Sequence, residues 1–374
     1  MARISTWITE AELENTLNWY FPLDNVHAAN DRLLRVMDQL ELPEVYRRQP
    51  GVLHTSSDGQ KFAVAVDSRN ANYSFKDFGQ DKGVSAYNVI DERHFDLHST
   101  VFSSADREAA YVIDGLMHNE VVKSDIHSTA THGSSEAIFA VTHLLGFTFA
   151  PRLKNLKKQR LASFPQYTRK AYVAQGFRVV PAVSLNPQLI EADWEDLLRF
   201  VASIQLKEAT ASQLFKRLNS YSKQHPLWLA LKEFGKIIKT RFILHYLDDV
   251  ALRQAIEKQL NKGESANKFS RAIAFGNNQE FLHGEKVEQE IAEGCRRLIK
   301  NAILCWNYVF LSQKIAATSD PHQRQRLLEA VRRGSVATWG HLNLHGEYDF
   351  SDEKLQDSVG LRLPHKPLLF RDSH

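Results

Sequence analysis

Three positions in this chain invite chemistry. Asp58 lies in the string Ser56-Ser57-Asp58-Gly59-Gln60, Glu264 follows Leu260-Asn261-Lys262-Gly263, and between them His127-Ser128-Thr129-Ala130-Thr131-His132-Gly133 closes an apolar run. A carboxylate at the tip of a central strand, a second at the end of a neighbouring strand and a third from a later helix can together hold two divalent ions about 3.5–4 Å apart. Such ions activate water and stabilise the leaving oxygen in phosphodiester cleavage, and oxygen donors suit magnesium or manganese. Ala130 has no donor atom, and the nearby acids do not replace it. Asp125 is five residues back on the same run and points to the other face, and Asp114 sits in a helical pattern.

Each of these residues also has a plain reading. Asp-Gly is among the commonest hairpin turns, so spacing alone makes Asp58-Gly59 a turn. Glu264 reads equally as a first-turn acid favoured by the helix dipole, and Glu285, Glu288 and Glu290 are rival acids near a later helix start. His127 and His132 resemble half of a zinc site, but no third ligand stands at a recognisable spacing. The chain has no phosphate-binding glycine loop, no Gly-x-Gly-x-x-Gly and no His-Glu-x-x-His, so no energy cofactor is indicated.

The strongest electrostatic feature is residues 151–180. They carry Arg152, Lys154, Lys157, Lys158, Arg160, Arg169, Lys170 and Arg178 without one acid, with Phe164, Tyr167 and Tyr172 interleaved. That mixture suits phosphate contact and base stacking. A basic run also serves as ordinary solvated surface; its position directly after the 127–133 string favours a nucleic-acid channel.

The elements that must position these residues follow from the apolar periods. With 374 residues, 43% hydrophobic and 24% charged, the chain can bury a large core. Its net charge of +3 is too mild to prove a polyanionic partner. The two cysteines, Cys295 and Cys305, lie in an apolar helical stretch, which argues against a disulfide framework or a cysteine zinc site and fits a reducing cytoplasm. No signal peptide precedes Trp7, and the longest apolar stretch, residues 137–150, is interrupted and too short to span a bilayer. Residues 10–20 and 26–40 read as helices. The period then changes to two, and residues 52–54 and 62–66 read as a hairpin with Asp58 near its tip. Residues 84–90 and 121–129 read as strands, with helices over 109–117 and 137–145, the latter capped by Ser134 or Ser135 and stopped by Gly146. Residues 147–150 read as a short strand. From 186 to about 260 the pattern is helical, and helical signals return at 264–275 and 288–311, where Ile291, Leu298, Ala302, Ile303, Trp306 and Val309 form an apolar stripe taken as core. Strands followed by strand and helix in alternation predict a mixed α/β sheet flanked by helices.

Seven strings then carry a resemblance. Ser-Ser-Asp-Gly-Gln (56–60), Tyr-Val-Ile-Asp-Gly-Leu (111–116), His-Ser-Thr-Ala-Thr-His-Gly (127–133), Leu-Leu-Gly-Phe-Thr-Phe-Ala-Pro-Arg (144–152), Leu-Asn-Lys-Gly-Glu (260–264), Arg-Ala-Ile-Ala-Phe-Gly (271–276) and Asn-Ala-Ile-Leu-Cys-Trp-Asn (301–307) resemble the replicative transposases of class II bacterial transposons, the ampicillin-resistance transposon type. The match runs in order across nearly the whole chain. Such transposases are much longer, so the chain resembles their C-terminal catalytic half. The resemblance implies an α/β, ribonuclease-H-like mixed sheet flanked by helices, an Asp, Asp, Glu triad, and a helical insertion before the Glu. It divides the chain into a helical lead-in (1–45), a first core part (46–185), a helical insertion (186–255), returning core helices (256–330) and a tail (331–374). Asp58 matches the first Asp and Glu264 is taken as the Glu, both as ligands of Mg2+ or Mn2+. Ala130 stands where the family motif has its second Asp, through deliberate inactivation or natural decay. The resemblance further implies double-stranded DNA as partner, a homodimer at full length and a bacterial cytoplasmic location. A ribonuclease-H-like structure-specific nuclease and a non-catalytic DNA-binding regulator are the alternatives.

Overall fold

The computed structural model describes residues 5–117, 121–130, 133–221, 224–274, 276 and 279–353. In chain order, β1 (Ser5–Thr6), α1 (Glu10–Tyr20) and α2 (Leu23–Asp38) lead into β2 (His54–Ala63), β3 (Asn72–Tyr73), α3 (Phe75–Phe78), β4 (Lys82–Asp91) and β5 (Asp96–Ser103). Next come α4 (Ala109–Met117), β6 (Ile126–Thr129), α5 (Glu136–Leu144), β7 (Thr148–Phe149), β8 (Ala162–Ser163), α6 (Arg169–Ala174), β9 (Val183–Ser184), α7 (Pro187–Ala192), α8 (Trp194–Gln205) and α9 (Ala211–Asn219). Four longer helices, α10 (Pro226–Asp248), α11 (Val250–Ile273), α12 (Lys286–Ala317) and α13 (Pro321–Arg333), precede β10 (Tyr348–Asp349).

The central strand is β2. It pairs antiparallel with β4 from Thr55 opposite Asp91 to Ala63 opposite Gly83, and parallel with β6 from His54 beside Ile126 to Ser57 beside Thr129. β7 continues parallel to β6, while β3 and β5 both lie antiparallel on the outer edge of β4. The spatial order is β3-β4-β2-β6-β7, a mixed sheet in an α/β fold. Among the described residues no helix is long and apolar enough to cross a membrane.

Four expectations are corrected. Asp58 is not at a hairpin tip: β2 runs unbroken through Asp58 and Gly59, because both residues are paired along β4, opposite Asn88 and Tyr87. Glu264 does not open a helix but lies well inside α11, whose N-terminus is at Val250 with the Asp249 carboxylate accepting from Leu252 N at 2.9 Å. The strand over 121–129 shortens to Ile126–Thr129, and β5 went unread. Finally, the apolar stripe of α12 is core only in part: Val309 is buried in a core cluster and Ile291, Leu298 and Ile303 are half-buried, but Ala302 and Trp306 are exposed, and the buried residues include Gln289, Glu293, Arg297, Lys300 and Asn301. That polar face is buried because it bonds to its neighbours: Lys300 pairs with Asp96 and donates to Ser270 Oγ at 2.8 Å, Arg297 donates to Leu97 O at 3.0 Å, and Asn301 donates to Asp96 O at 3.0 Å. Thr131, His132 and Phe275, and 354–374 of the tail, lie outside the described residues.

The helices read from periodicity are present where the core needs them. Ser135 caps α5, accepting from Ile138 N at 3.4 Å. A large cluster joins Tyr87 and Phe102 of the sheet to Val112, Phe139, Phe149, Phe242 and Ile256, so α10 and α11 share a core with α4 and α5. A second cluster packs Leu34 and Met37 of α2 against Phe95, Leu304 and Tyr308.

The closest helix contact is α10 on α5, and a glycine permits it. A Cβ at Gly235 would stand 1.7 Å from the carbonyl oxygen of Glu136, a backbone atom that cannot step aside. At Gly263, also mid-helix, a Cβ would meet only Ser56 Oγ at 3.7 Å, an ordinary contact. Alanine is intrinsically the better helix former by about 1 kcal/mol at both. Gly235→Ala is therefore expected to destabilise the chain by about 3 kcal/mol or more, while Gly263→Ala leaves stability unchanged or raises it by up to about 1 kcal/mol. Urea unfolding of the two variants side by side checks the contrast.

Candidate active site

The site is built where α11 lies along β2. Alternate residues of the strand, Ser56, Asp58 and Gln60, face the helix, and residues four apart on the helix, Gln259, Gly263 and Asn267, face back. Gln259 Nε2 donates to Ser56 Oγ at 3.1 Å, Ser56 Oγ donates to Gln259 O at 3.3 Å, and Gln60 Nε2 donates to Asn267 O at 3.3 Å. In the middle of this ladder Asn267 Nδ2 donates to Asp58 Oδ2 at 2.9 Å, which fixes the carboxylate. The two-residue period of the strand and the four-residue repeat of the helix meet here in one seam.

Ala130 follows the last residue of β6. The last paired residues of β2 and β6 are Ser57 and Thr129, and one step further on each strand come Asp58 and Ala130. Equivalent positions on neighbouring strands share a face, so a side chain at 130 is directed to the side that Asp58 occupies. Ala130 is half-buried, and its carbonyl accepts from Gly133 N at 3.1 Å. Glu264 is exposed on α11, immediately after Gly263.

The electrostatics join the two acids. Burial pushes the Asp58 carboxyl up to about 6, with the Glu108 carboxylate the next largest cause and Glu264 a smaller one; the Gly59 N–H and Asn267 oppose the rise. Glu108 is the acid that sequence reasoning missed. A Cβ on Gly59 would lie 2.4 Å from Glu108 Oε1, so this carboxylate rests against the bare backbone next to Asp58. The only trace in the sequence is the glycine itself.

The remaining candidates are committed elsewhere. Glu290 Oε1 accepts from Thr100 Oγ1 at 2.8 Å and Val101 N at 3.1 Å and so anchors α12 to β5. Glu285 and Glu288 are exposed near the start of α12. Asp125 accepts from Leu53 N at 2.7 Å, and Asp114 accepts from Ala211 N at 2.7 Å at the start of α9. His127 is fully buried with both ring nitrogens engaged by hydroxyls, Thr55 Oγ1 at 2.8 Å and Ser57 Oγ at 2.7 Å, and burial lowers it to about 3. It is a neutral core residue with no nitrogen to offer zinc. Among the described residues no group of three or more His, Cys, Asp or Glu is arranged to hold a metal ion.

The basic segment begins at the site. Arg152 N donates to Thr129 O at 3.0 Å, and the half-buried Arg152 side chain pairs with Glu257 of α11 at 3.3 Å. Lys154, Lys157, Lys158, Arg160, Arg169, Lys170 and Arg178 are all exposed, as are Phe164 and Tyr167, so charges and rings are available to a ligand.

Residues 1–348 match the Tn3 transposase DDE domain, and the chain belongs to that family. It is 32% identical over 366 residues to the transposase for transposon Tn1546 of Enterococcus faecium, covering 97% of this chain and 36% of that protein. It is 33% identical over 355 residues to the transposase for transposon Tn2501 of Escherichia coli, covering 93% of this chain and 34% of that one. The chain thus spans about a third of the length of these curated relatives.

The raised Asp58 carboxyl yields a stability prediction. A carboxyl whose folded value lies above its ordinary 3.8 adds stability that is full below about pH 4 and is lost as the pH rises through about 6. Asp58→Asn keeps an oxygen to accept from Asn267 and removes the charge. It is expected to stabilise the chain by roughly 1–2 kcal/mol at pH 8 in EDTA, with the gain gone below pH 4. Denaturant midpoints at the two pH values measure it.

Proposed function

We propose that this chain is the catalytic domain of a replicative DNA transposase, ribonuclease-H-like in fold with residues 186–255 as the insertion before the catalytic Glu, and that Ala130 leaves it impaired. The observation that carries the reading is the position of Ala130 one step beyond the β2–β6 pairing, beside an Asp58 that already feels the charge of Glu264. The oxygen-only donors, and a carboxyl raised first by burial and then by the Glu108 carboxylate, fit a hard divalent cation. Asp58 and Glu264 would hold Mg2+ or Mn2+, and an acid at 130 would complete the set. When bound, such ions activate water and stabilise the leaving oxygen of a phosphodiester.

The chain's own residues orient and bind. Asn267 holds the Asp58 carboxylate toward α11. The exposed cations from Lys154 to Lys170, with Arg152 at their head, support a path for duplex DNA leading from the site. Water cleaves one P–O bond at each transposon end and frees a 3′ hydroxyl. That hydroxyl attacks a target phosphodiester, forming one P–O bond as another breaks, with no covalent protein–DNA intermediate. In a full-length protein two copies would act as a dimer on two ends, within a bacterial cytoplasm.

Restoring the acid tests the reading. In Ala130→Asp, Mg2+ is expected to raise the thermal midpoint, while the parent chain shifts little. In a full-length transposase context the same change is expected to raise Mg2+-dependent strand cleavage by about 100-fold or more, equivalent to about 2.7 kcal/mol. Recovery confined to branched DNA would point to a structure-specific nuclease. No recovery of either readout would leave a non-catalytic DNA-binding regulator.

A further inference from the structure

A cavity of about 150 Å³ opens between the start of β2 and the face of α11 turned away from Glu264. We propose that it is a second phosphate site, one that grips the DNA backbone a short distance from the cleaved bond. The proposal rests on the transposase reading above.

Cations from three separate parts of the chain meet there: Arg47 and Arg48 ahead of β2, Lys258 and Lys262 on α11, and Arg332 near the end of α13. The one acid lining the cavity, Glu92, does not balance them. Its carboxylate oxygens accept from the backbone N–H groups of Arg48 at 3.1 Å and His54 at 3.4 Å. Two of the cations are tethered. Arg47 pairs with Glu44 at 2.7 Å, and Lys262 donates to Glu92 O and lies 5.1 Å from the centre of the Tyr46 ring. Arg48, Lys258 and Arg332 are exposed, and among the described residues no ion pair involves any of them; Asp249 is the acid within the field of Arg48. Like charges gathered from distant parts of a chain repel one another unless an anion joins them.

The size and place of the cavity select the anion. A volume of about 150 Å³ is below that of sites enclosing a whole organic ligand, so it suits a single phosphate group. Lys258 precedes Glu264 by six residues, about 9 Å along the helix axis. Phosphates of one strand advance about 3.4 Å per nucleotide along a duplex. Because the cavity lies on the other flank of α11 from Glu264, the phosphate it takes is several nucleotides from the one held at Asp58 and Glu264, on backbone that passes over the helix.

The test compares the parent chain, Lys258→Gln/Arg332→Gln, and a control of equal charge, Lys76→Gln/Lys123→Gln. Affinity for a fluorescent duplex is measured against NaCl concentration, and unfolding midpoints are measured in inorganic phosphate and in chloride at equal ionic strength. Both doubles replace exposed side chains, and equal midpoints in chloride confirm their folds. The expected result is that the cavity variant loses about one from the slope of log affinity against log salt, binds the duplex three- to ten-fold more weakly, and that the control matches the parent. A parent that binds DNA with a slope unchanged in the cavity variant, or lowered equally in the control, overturns the proposal and spares the transposase reading. Protection by millimolar phosphate that only the cavity variant loses, with DNA binding unaffected, makes the cavity a free-anion site and also overturns it. A parent without measurable affinity for duplex DNA overturns the transposase reading itself.

Discussion

The structure depends on one contact, the seam in which α11 lies along β2. A strand presents alternate side chains and a helix presents every fourth, so the two register over any length only where small or hydrogen-bonding residues fill the seam. Ser56, Asp58 and Gln60 against Gln259, Gly263 and Asn267 do this with four hydrogen bonds and one missing side chain. An apolar seam would bury more surface, but it would leave the Asp58 carboxylate without a donor, at a large cost. The polar seam keeps a half-buried acid in place and sets Glu264 one residue beyond the point of closest approach.

Around this seam the protein holds its frame with buried polar networks. The first half of the buried face of α12 is polar, with Lys300 and Asp96 paired and Asn301 bonded to Asp96 O, while Leu304 and Tyr308 continue it as an apolar face against α2. Arg93 is fully buried between Asp91 and Asp38, with its guanidinium 4.2 Å from the centre of the Phe95 ring. Such pairs add little net stability against apolar replacements, yet losing one partner is costly. They make the register of α12 against β5 all-or-none.

Charge is segregated around the site. Asp58, Glu108 and Glu264 bring negative charge to the end of the β2–β6 pairing, and burial first, then the Glu108 carboxylate, raise the Asp58 carboxyl. The exposed cations of 154–178 and of the cavity beneath α11 flank it. Acids crowded together raise each other's proton affinity until cations offset them, and a polyanion is drawn to the surrounding basic surface. The same arrangement favours a hard cation at the centre and a phosphate backbone across the rim.

Much of this was legible from residues 1–374 alone. Helical periods marked α2, α4, α5 and α10 because each sets an amphipathic or apolar face against a core, and the strings around Asp58, Ala130 and Glu264 pointed to a candidate site through their resemblance to a family. The rest was decided by partners distant in the chain. Asp58-Gly59 favours a turn locally, but pairing with β4 on one side holds it extended. Leu260 to Glu264 reads locally as the start of a helix, whereas the apolar contacts of Leu252 and Ile256 draw the preceding turns into the same α11. Glu108 left only Gly59 as a trace, since the two meet through the fold and are far apart in the chain. The sequence by itself determined most of the helices and offered Asp58 and Glu264 as candidate acids; only the tertiary structure decided which side chains meet, because that depends on hydrogen-bond partners more than two hundred residues apart.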